Sequence, residues 1–364
     1  MARIVVLSLC YDNRALPQIA NQGTFRWNNG SWMASFCTAL EELQHEVVAF
    51  PDARYSFMLG EDATNESFYH LMMGFRPDYL ITYKGDNIHY STYLDLMRQL
   101  PDMAKIWWSV DDPHLLYHQS MEAKAKMQIH NSALTCCKSS MEYYDELGME
   151  STLFYPTVDP AVQNLPEELG YELTEEEKEK YTCDIMLGGT CYATEHNSRA
   201  RICQSIIGAG LGDGLKLWGH EHWKDNNWTH GIDLEPYFCS RLDEDDMPKI
   251  YHNSKIVLNS WVNGGIDNKC GYPCKGYYNW RFFEVLGSGG GMQMCEWQED
   301  DGDWPFKDGE HLAVWKTHEE LVEKTKYYLE HDEERERIAR NGYELAQEEF
   351  TWKKGLKSIF GGID

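Results

Sequence analysis

The feature that most limits what this chain can fold into is an alternation that runs through it twice. In the first half, short apolar runs of strand length fall at Arg3–Leu9, Glu46–Phe50, Tyr79–Thr82, Ile106–Val110, Ala133–Cys136 and Thr152–Tyr155, with helix-like stretches between them. In the second half they fall at Cys183–Leu187, Leu215–Trp218, Ile256–Asn259 and Met292–Met294. Alternation of this kind predicts parallel sheets with helices on both faces. Between the two series, Pro156 to Lys180 breaks the pattern, opening on Pro-Thr-Val-Asp-Pro and closing on Thr-Glu-Glu-Glu-Lys-Glu-Lys. We read the chain as a first Rossmann-like domain over 1–160, a linker with a short acidic helix over 161–182, and a second Rossmann-like domain over 183–345. The closing stretch, 346–364, is read as a C-terminal helix. At 364 residues the chain can bury two such cores. Two α/β halves joined by a linker leave a cleft, and ligands of open α/β sheets sit beyond the carboxyl ends of the strands.

Composition removes several classes of function. A formal net charge of −26 argues against non-specific binding to nucleic acid and to anionic membrane surfaces. No apolar run reaches the length of a membrane span, and Met1–Leu9 reads as a first strand rather than a leader. The eleven cysteines are odd in number and scattered, which fits free thiols and a cytoplasmic protein better than a disulfide framework. Cys270 and Cys274 have no second pair at zinc spacing, so no metal site is expected.

The loops after the predicted strands hold the candidates. After the first strand come Asp12 and then Asn29-Gly30, polar groups before a helix and suited to an acceptor; the absence of GxGxxG argues against a dinucleotide-dependent dehydrogenase. After Ile106–Val110 come Asp111-Asp112-Pro113-His114. A carboxylate at a strand end suits a general base, and only one of two adjacent aspartates can point at a substrate. His114 is placed with the acceptor side. An Asx turn stopped by proline, or a metal-binding carboxylate pair, would give the same residues. Gly188-Gly189 lies at a strand-to-helix turn with Arg199 beyond it, where backbone amides and a cation can meet a phosphate. Trp218-Gly219 and Asn259 close two further strands.

The segment Asn279–Met294, NWRFFEVLGSGGGMQM, carries the sharpest signal. Arg281 and Glu284 are three apart and share a helical face, one suited to phosphate and the other to a pair of hydroxyls. An exposed intrahelical ion pair is the plainer reading, but the flanking residues are apolar and the Gly287–Gly291 break, with Gly289 at the end of the pattern, requires a cause.

Arg281, Glu284 and Gly289 fit the R-x-F-E-x-x-x-x-G signature of GT-B glycosyltransferases. The tryptophan-rich run into Asp111-Asp112-Pro113, the Cys183–Gly189 opening and the Tyr251–Asn259 block are similar to the CgeB-like (spore-maturation-protein-B-like) branch. The resemblance covers most of the chain and is strongest from Cys183 to Phe350. It implies two Rossmann-like domains facing a central cleft, with acceptor on the first, a nucleotide sugar, a UDP-sugar, on the second, and the C-terminal helix of 346–364 crossing back to the first domain. Arg281, Gly188 and Gly189 would surround the phosphates, Glu284 would hold the ribose hydroxyls, and Trp218 would lie near the base. Asp112 or Asp111 would be the base, with no bound metal or other cofactor required. The best-known GT-B pattern has a second glutamate eight residues before Glu284; here that residue is Gly276, which favours inversion with an aspartate base. The acceptor is expected to be a hydroxyl, on a surface glycan or protein or on a hydroxymethylated DNA base as in phage DNA glucosyltransferases. The alternative is a non-catalytic homologue that binds a nucleotide sugar.

Overall fold

A computed structural model describes residues 1–8, 32–83, 85, 87–109, 121–191, 199–241, 246–261, 275–299, 302 and 304–361. It divides into two compact units: Met1–Tyr155 with Trp352–Asp364, and Pro156–Thr351.

The first unit is built on β1 (Arg3–Ser8), β2 (Glu46–Pro51), β3 (Tyr79–Tyr83), β4 (Ala104–Ser109), β5 (Ser132–Thr135) and β6 (Glu150–Leu153). They form one parallel sheet in the order β2-β1-β3-β4-β5-β6. Parallel strands need helices on both faces, which explains the buried apolar centres of β1, β3 and β4: Ile4–Leu7, Leu80 with Ile81, and Ile106 with Trp107 and Trp108. On one face Phe36 stacks on Trp108 at 4.5 Å, and Phe154 and Trp352 pack edge-on to Phe36. Burial of Trp352 in this aromatic cluster is what places the helix Trp352–Phe360 with the first unit.

The second unit contains β7 (Cys183–Gly189), β8 (Leu215–Gly219), β9 (Phe238–Ser240), β10 (Ser254–Asn259), β11 (Met292–Glu296) and β12 (Ala313–Trp315). All are parallel, in the order β12-β11-β10-β7-β8-β9. One face buries Ile185, Leu187, Ile256, Leu258, Met292 and Met294 in a cluster shared with helices Arg199–Gly208 and His318–Glu330. The other face buries Met186, Val257, Trp218, Tyr251 and Val285. The chain moves outward from β7 to β8 and β9, then returns to lay β10 on the opposite side of β7. The order therefore reverses between β7 and β10, the place where an open parallel sheet leaves a crevice at its carboxyl edge.

Two points of organisation are not visible in the sequence pattern. The segment 161–182 is not a free connector: it lies inside the second unit, and its acidic helix Glu175–Tyr181 is capped by Thr174 and anchored by buried Tyr181. The edge strands β9 and β12 are each three residues long, too short to stand out as apolar runs. No described helix is long and apolar enough to cross a membrane.

Candidate functional site

The carboxyl ends of β7 and β10 meet the start of the helix Trp280–Ser288. That helix forms because Phe282, Phe283, Val285 and Leu286 give it a buried stripe and Asn279 caps it, accepting from the Phe282 amide at 3.1 Å. Asn259 fixes the cap to the sheet: its amide donates to Asn279 Oδ1 at 3.1 Å, and Asn279 donates back to Asn259 at 3.2 Å and to the Ser260 carbonyl at 3.2 Å. This reciprocal lock puts the first helical turn, with Arg281, over the crevice between β7 and β10.

Two guanidinium groups converge there on Gly189. A Cβ added at Gly189 would lie 2.7 Å from Arg199 Nη1 and 3.0 Å from Arg281 Nη1. Gly189 has φ +122°, a conformation that side chains other than glycine's rarely adopt. Gly219, its partner in the sheet, has φ +136° and lies so close that a Cβ would come 2.0 Å from the Gly189 carbonyl oxygen. The two glycines thus let two strand ends touch and leave room for the cations. Arg199 is buried at 7 % exposure and strapped across both strand exits, Nη1 donating to the Thr190 carbonyl at 2.5 Å and Nε to Ser260 Oγ at 3.2 Å. In a chain with so large an acidic excess, two arginines at a topological switch point are a local concentration of positive charge.

Arg281 is joined to Glu284 through Tyr251. Arg281 Nε donates to the Tyr251 hydroxyl at 3.3 Å, and that hydroxyl donates to Glu284 Oε2 at 3.4 Å. Burial raises the Glu284 carboxyl above its ordinary range, against the opposing pull of Arg281 and of the Tyr251 hydrogen bond. The phenol of Tyr251, fully enclosed, is raised for the same reason. A carboxylate one helical turn from a guanidinium pair can accept hydroxyls from a group attached to a bound phosphate. Tyr251 was not singled out in the sequence because an aromatic residue on an apolar helix reads as core.

The structure brings together Gly188, Gly189, Gly219, Arg199, Arg281 and Glu284 on the carboxyl edge of the second sheet. It gives three other candidates different surroundings. Trp218 is 1 % exposed, packed with Tyr181, Met186 and Tyr251 in the core, so its ring offers no open face. Asn259 is fully buried, with its amide committed to the helix cap. Gly289 lies at the other end of the helix, about 13 Å along for nine residues. A Cβ there would meet Leu165 at 2.6 Å and Tyr343 at 3.2 Å, so the glycine break serves close packing rather than a phosphate. Asp111, Asp112, His114, Asp12, Asn29 and Gly30, and with them Cys270 and Cys274, lie outside the described residues. Among the described residues no group of three or more His, Cys, Asp or Glu side chains could hold a metal.

Comparison with known proteins follows the same division. Residues 199–361, from Arg199 through Arg281 and Glu284, match the model of the family described as glycosyl transferase-like. No curated protein matches in sequence. An α-glucosyltransferase solved with UDP and a 13-mer DNA containing a HMU base superposes with a TM-score of 0.66 at 12 % identity, over 99 % of this chain and 98 % of that one. A Listeria monocytogenes protein described as a UDP-N-acetylglucosamine 2-epimerase superposes with a TM-score of 0.53 at 11 % identity, over 100 % and 98 %. TarM gives 0.53 at 10 % identity, over 81 % of this chain and 57 % of its own. At these identities the likeness is one of fold, and the fold serves an epimerase as well as transferases. Two parallel six-stranded sheets in this order give the chain the GT-B fold, and its residues 199–361 are similar to a glycosyl transferase-like family.

Proposed function

We propose that the chain transfers a sugar from a UDP-sugar to a hydroxyl acceptor, as a member of the CgeB-like branch of GT-B glycosyltransferases. The observation that carries this reading is the convergence of Arg199 and Arg281 on Gly189, with Glu284 one turn further along the same helix. Glycosyl transfer from a nucleotide leaves a diphosphate, and catalysis requires positive charge where that negative charge develops. Arg199 and Arg281 supply it at fixed positions, so no bound metal or other cofactor is needed for the departure. Glu284 holds the ribose hydroxyls. Asp112 or Asp111 takes the acceptor proton, and the sugar is transferred with inversion. The acceptor side falls to the first domain, through Asp12, Asn29, Gly30 and His114. The protein acts in the cytoplasm.

The acceptor is a hydroxyl on a surface glycan or protein, or on a hydroxymethylated DNA base. The DNA reading draws on the solved α-glucosyltransferase, whose partner is DNA. The chain's charge of −26 weighs against a broad DNA surface but leaves a single flipped base open to it.

The test is release of UDP from a panel of UDP-sugars with glycan, protein and hydroxymethylcytosine-DNA acceptors. The native chain is expected to turn over one donor with one acceptor, without added metal and in the presence of EDTA. Asp111→Asn or Asp112→Asn should abolish turnover while donor binding persists. The anomeric proton coupling of the product reads inversion or retention directly. Donor binding without turnover on any acceptor would favour the non-catalytic homologue.

A further inference from the structure

The first unit exposes large apolar side chains at one corner. Phe57, Met58 and Leu59, the last residues of the helix Asp52–Leu59, are 87 %, 52 % and 50 % exposed. Successive helical residues point about 100° apart, so these three ring the final turn rather than share one face. Gly60, at φ +82°, ends the helix and leads into the helix Glu61–Phe75. Glu61 Oε2 is 3.5 Å from His89 Nε2, and the residue after His89, Tyr90, is exposed too, at 41 %. Single apolar residues on a surface need no cause, but a run of three beside a fourth does.

The corner is held firmly from beneath. Tyr55 stacks on buried Phe50 at 4.5 Å. Asp52, fully buried at the start of the helix, accepts from the Asn87 backbone amide at 3.1 Å and from Asn87 Nδ2 at 3.3 Å. Asn65 Nδ2 donates to the Asn87 carbonyl at 3.0 Å, and its Oδ1 accepts from the His89 amide at 2.7 Å and the Thr92 hydroxyl at 2.8 Å. A tip fixed in this way loses little conformational freedom on docking. The helix Asp52–Leu59 follows β2 directly, and Asn87–Tyr90 lead out of β3. Both are exits at the carboxyl edge of the first sheet, the edge at which open α/β sheets bind ligands.

We infer that this corner docks the acceptor, and that the acceptor is a protein segment carrying apolar side chains beside lysine or arginine. The inference rests on the glycosyl-transfer reading above and deepens it. Glu61 and Asp62, exposed in the helical turn that follows the tip, give the apolar corner an acidic border. That border repels the phosphates of DNA and favours a basic partner. A second copy of this chain would set the same border, and a net charge of −26, against its like. A glycan presents mainly hydroxyls, which Met58 and Leu59 cannot pair.

The experiment is an array of Ser- and Thr-centred peptides with every residue type varied at each flanking position. It is probed, without donor, with the full-length native chain and with the double variant Phe57→Ser, Leu59→Ser; UDP titration and melting temperature are measured alongside. The native chain should select Leu, Ile or Phe together with Lys or Arg in the flanks. The double variant should bind the selected peptide roughly ten-fold more weakly and keep its UDP affinity and melting temperature. Glu61→Lys with Asp62→Lys should move the preferred flanking charge from Lys or Arg to Asp or Glu. No flanking preference, or one that both variants keep, would overturn the inference and leave the donor site standing. Flotation of the native chain with phosphatidylcholine vesicles, or binding to hydroxymethylcytosine DNA, in place of any peptide selection would overturn it in favour of a membrane surface or of DNA. Peptide selection by a native chain that binds no UDP would overturn the transferase reading, and the acceptor role with it, while the docking corner stands.

Discussion

Gly189→Ala puts the proposed phosphate seat under direct stress. The added methyl would sit 2.7 Å from Arg199 Nη1 and 3.0 Å from Arg281 Nη1, closer than carbon and nitrogen normally approach. Arg199 is held by Thr190 and Ser260 and can yield little, so Arg281 or the bound phosphate must give way. Losing one charge-assisted hydrogen bond costs about 1.5–3 kcal/mol, which is roughly a 10- to 150-fold rise in the Kd for UDP. The φ of +122° adds a backbone cost of about 1–3 kcal/mol to folding, visible as a lower melting temperature. Gly289→Ala is the matched control. It also has a positive φ, +62°, and its methyl would strike Leu165 at 2.6 Å, but it lies at the far end of the helix. Calorimetric titration of UDP should show Gly189→Ala impaired in binding and stability, and Gly289→Ala impaired in stability alone. Native affinity in Gly189→Ala, or equal binding loss in Gly289→Ala, would refute the placement of the phosphates at Gly189.

Two further outcomes are expected. Tyr251→Phe removes the hydroxyl that accepts from Arg281 and donates to Glu284, so donor affinity should fall several-fold, about 1 kcal/mol, with pyrophosphate less affected than UDP; calorimetry on both ligands checks this. In the first unit His130 is enclosed, Nδ1 donating to the Lys126 carbonyl at 2.8 Å and Nε2 accepting from the Thr82 hydroxyl at 2.9 Å, and burial depresses its pKa to about 4. The unfolded chain then takes up the proton first, so this contribution is present above pH 6.5 and is lost as pH falls towards 4. Urea unfolding of the native chain should lose about 1.4 kcal/mol per pH unit from this group between pH 6 and 5, and His130→Gln should show a shallower decline over the same interval.

Much of this architecture can be read before any coordinates, for physical reasons. Parallel strands buried on both faces leave unbroken apolar runs, so β1, β3, β4, β7 and β10 announce themselves. The edge strands β9 and β12 are too short to do so. The stretch 161–182 misleads because its helix is acidic on nearly every face and is tied down by Tyr181. Arg199, Arg281 and Glu284 are legible because charges amid apolar residues near glycine turns need a reason. Trp218, Asn259 and Gly289 show the limits of that logic. A tryptophan before a glycine packs inward as readily as outward. A strand-end asparagine can lock a helix cap instead of touching a ligand. A glycine run can serve close packing: Gly290 faces the His252 carbonyl and Gly291 the Tyr251 carbonyl, each with an added Cβ only 2.4 Å from the oxygen. Tyr251 becomes visible as a link only once Arg281 and Glu284 are seen on either side of its hydroxyl.

In the proposed donor complex the second unit holds a nucleotide sugar between the arginine pair and Glu284. Calorimetric titration of a UDP-sugar panel into the native chain and Glu284→Ala tests it most directly. Selective binding of one UDP-sugar by the native chain, weakened at least ten-fold in Glu284→Ala while pyrophosphate affinity is kept, is the predicted result. No binding of any nucleotide sugar, or binding indifferent to Glu284, would contradict the account.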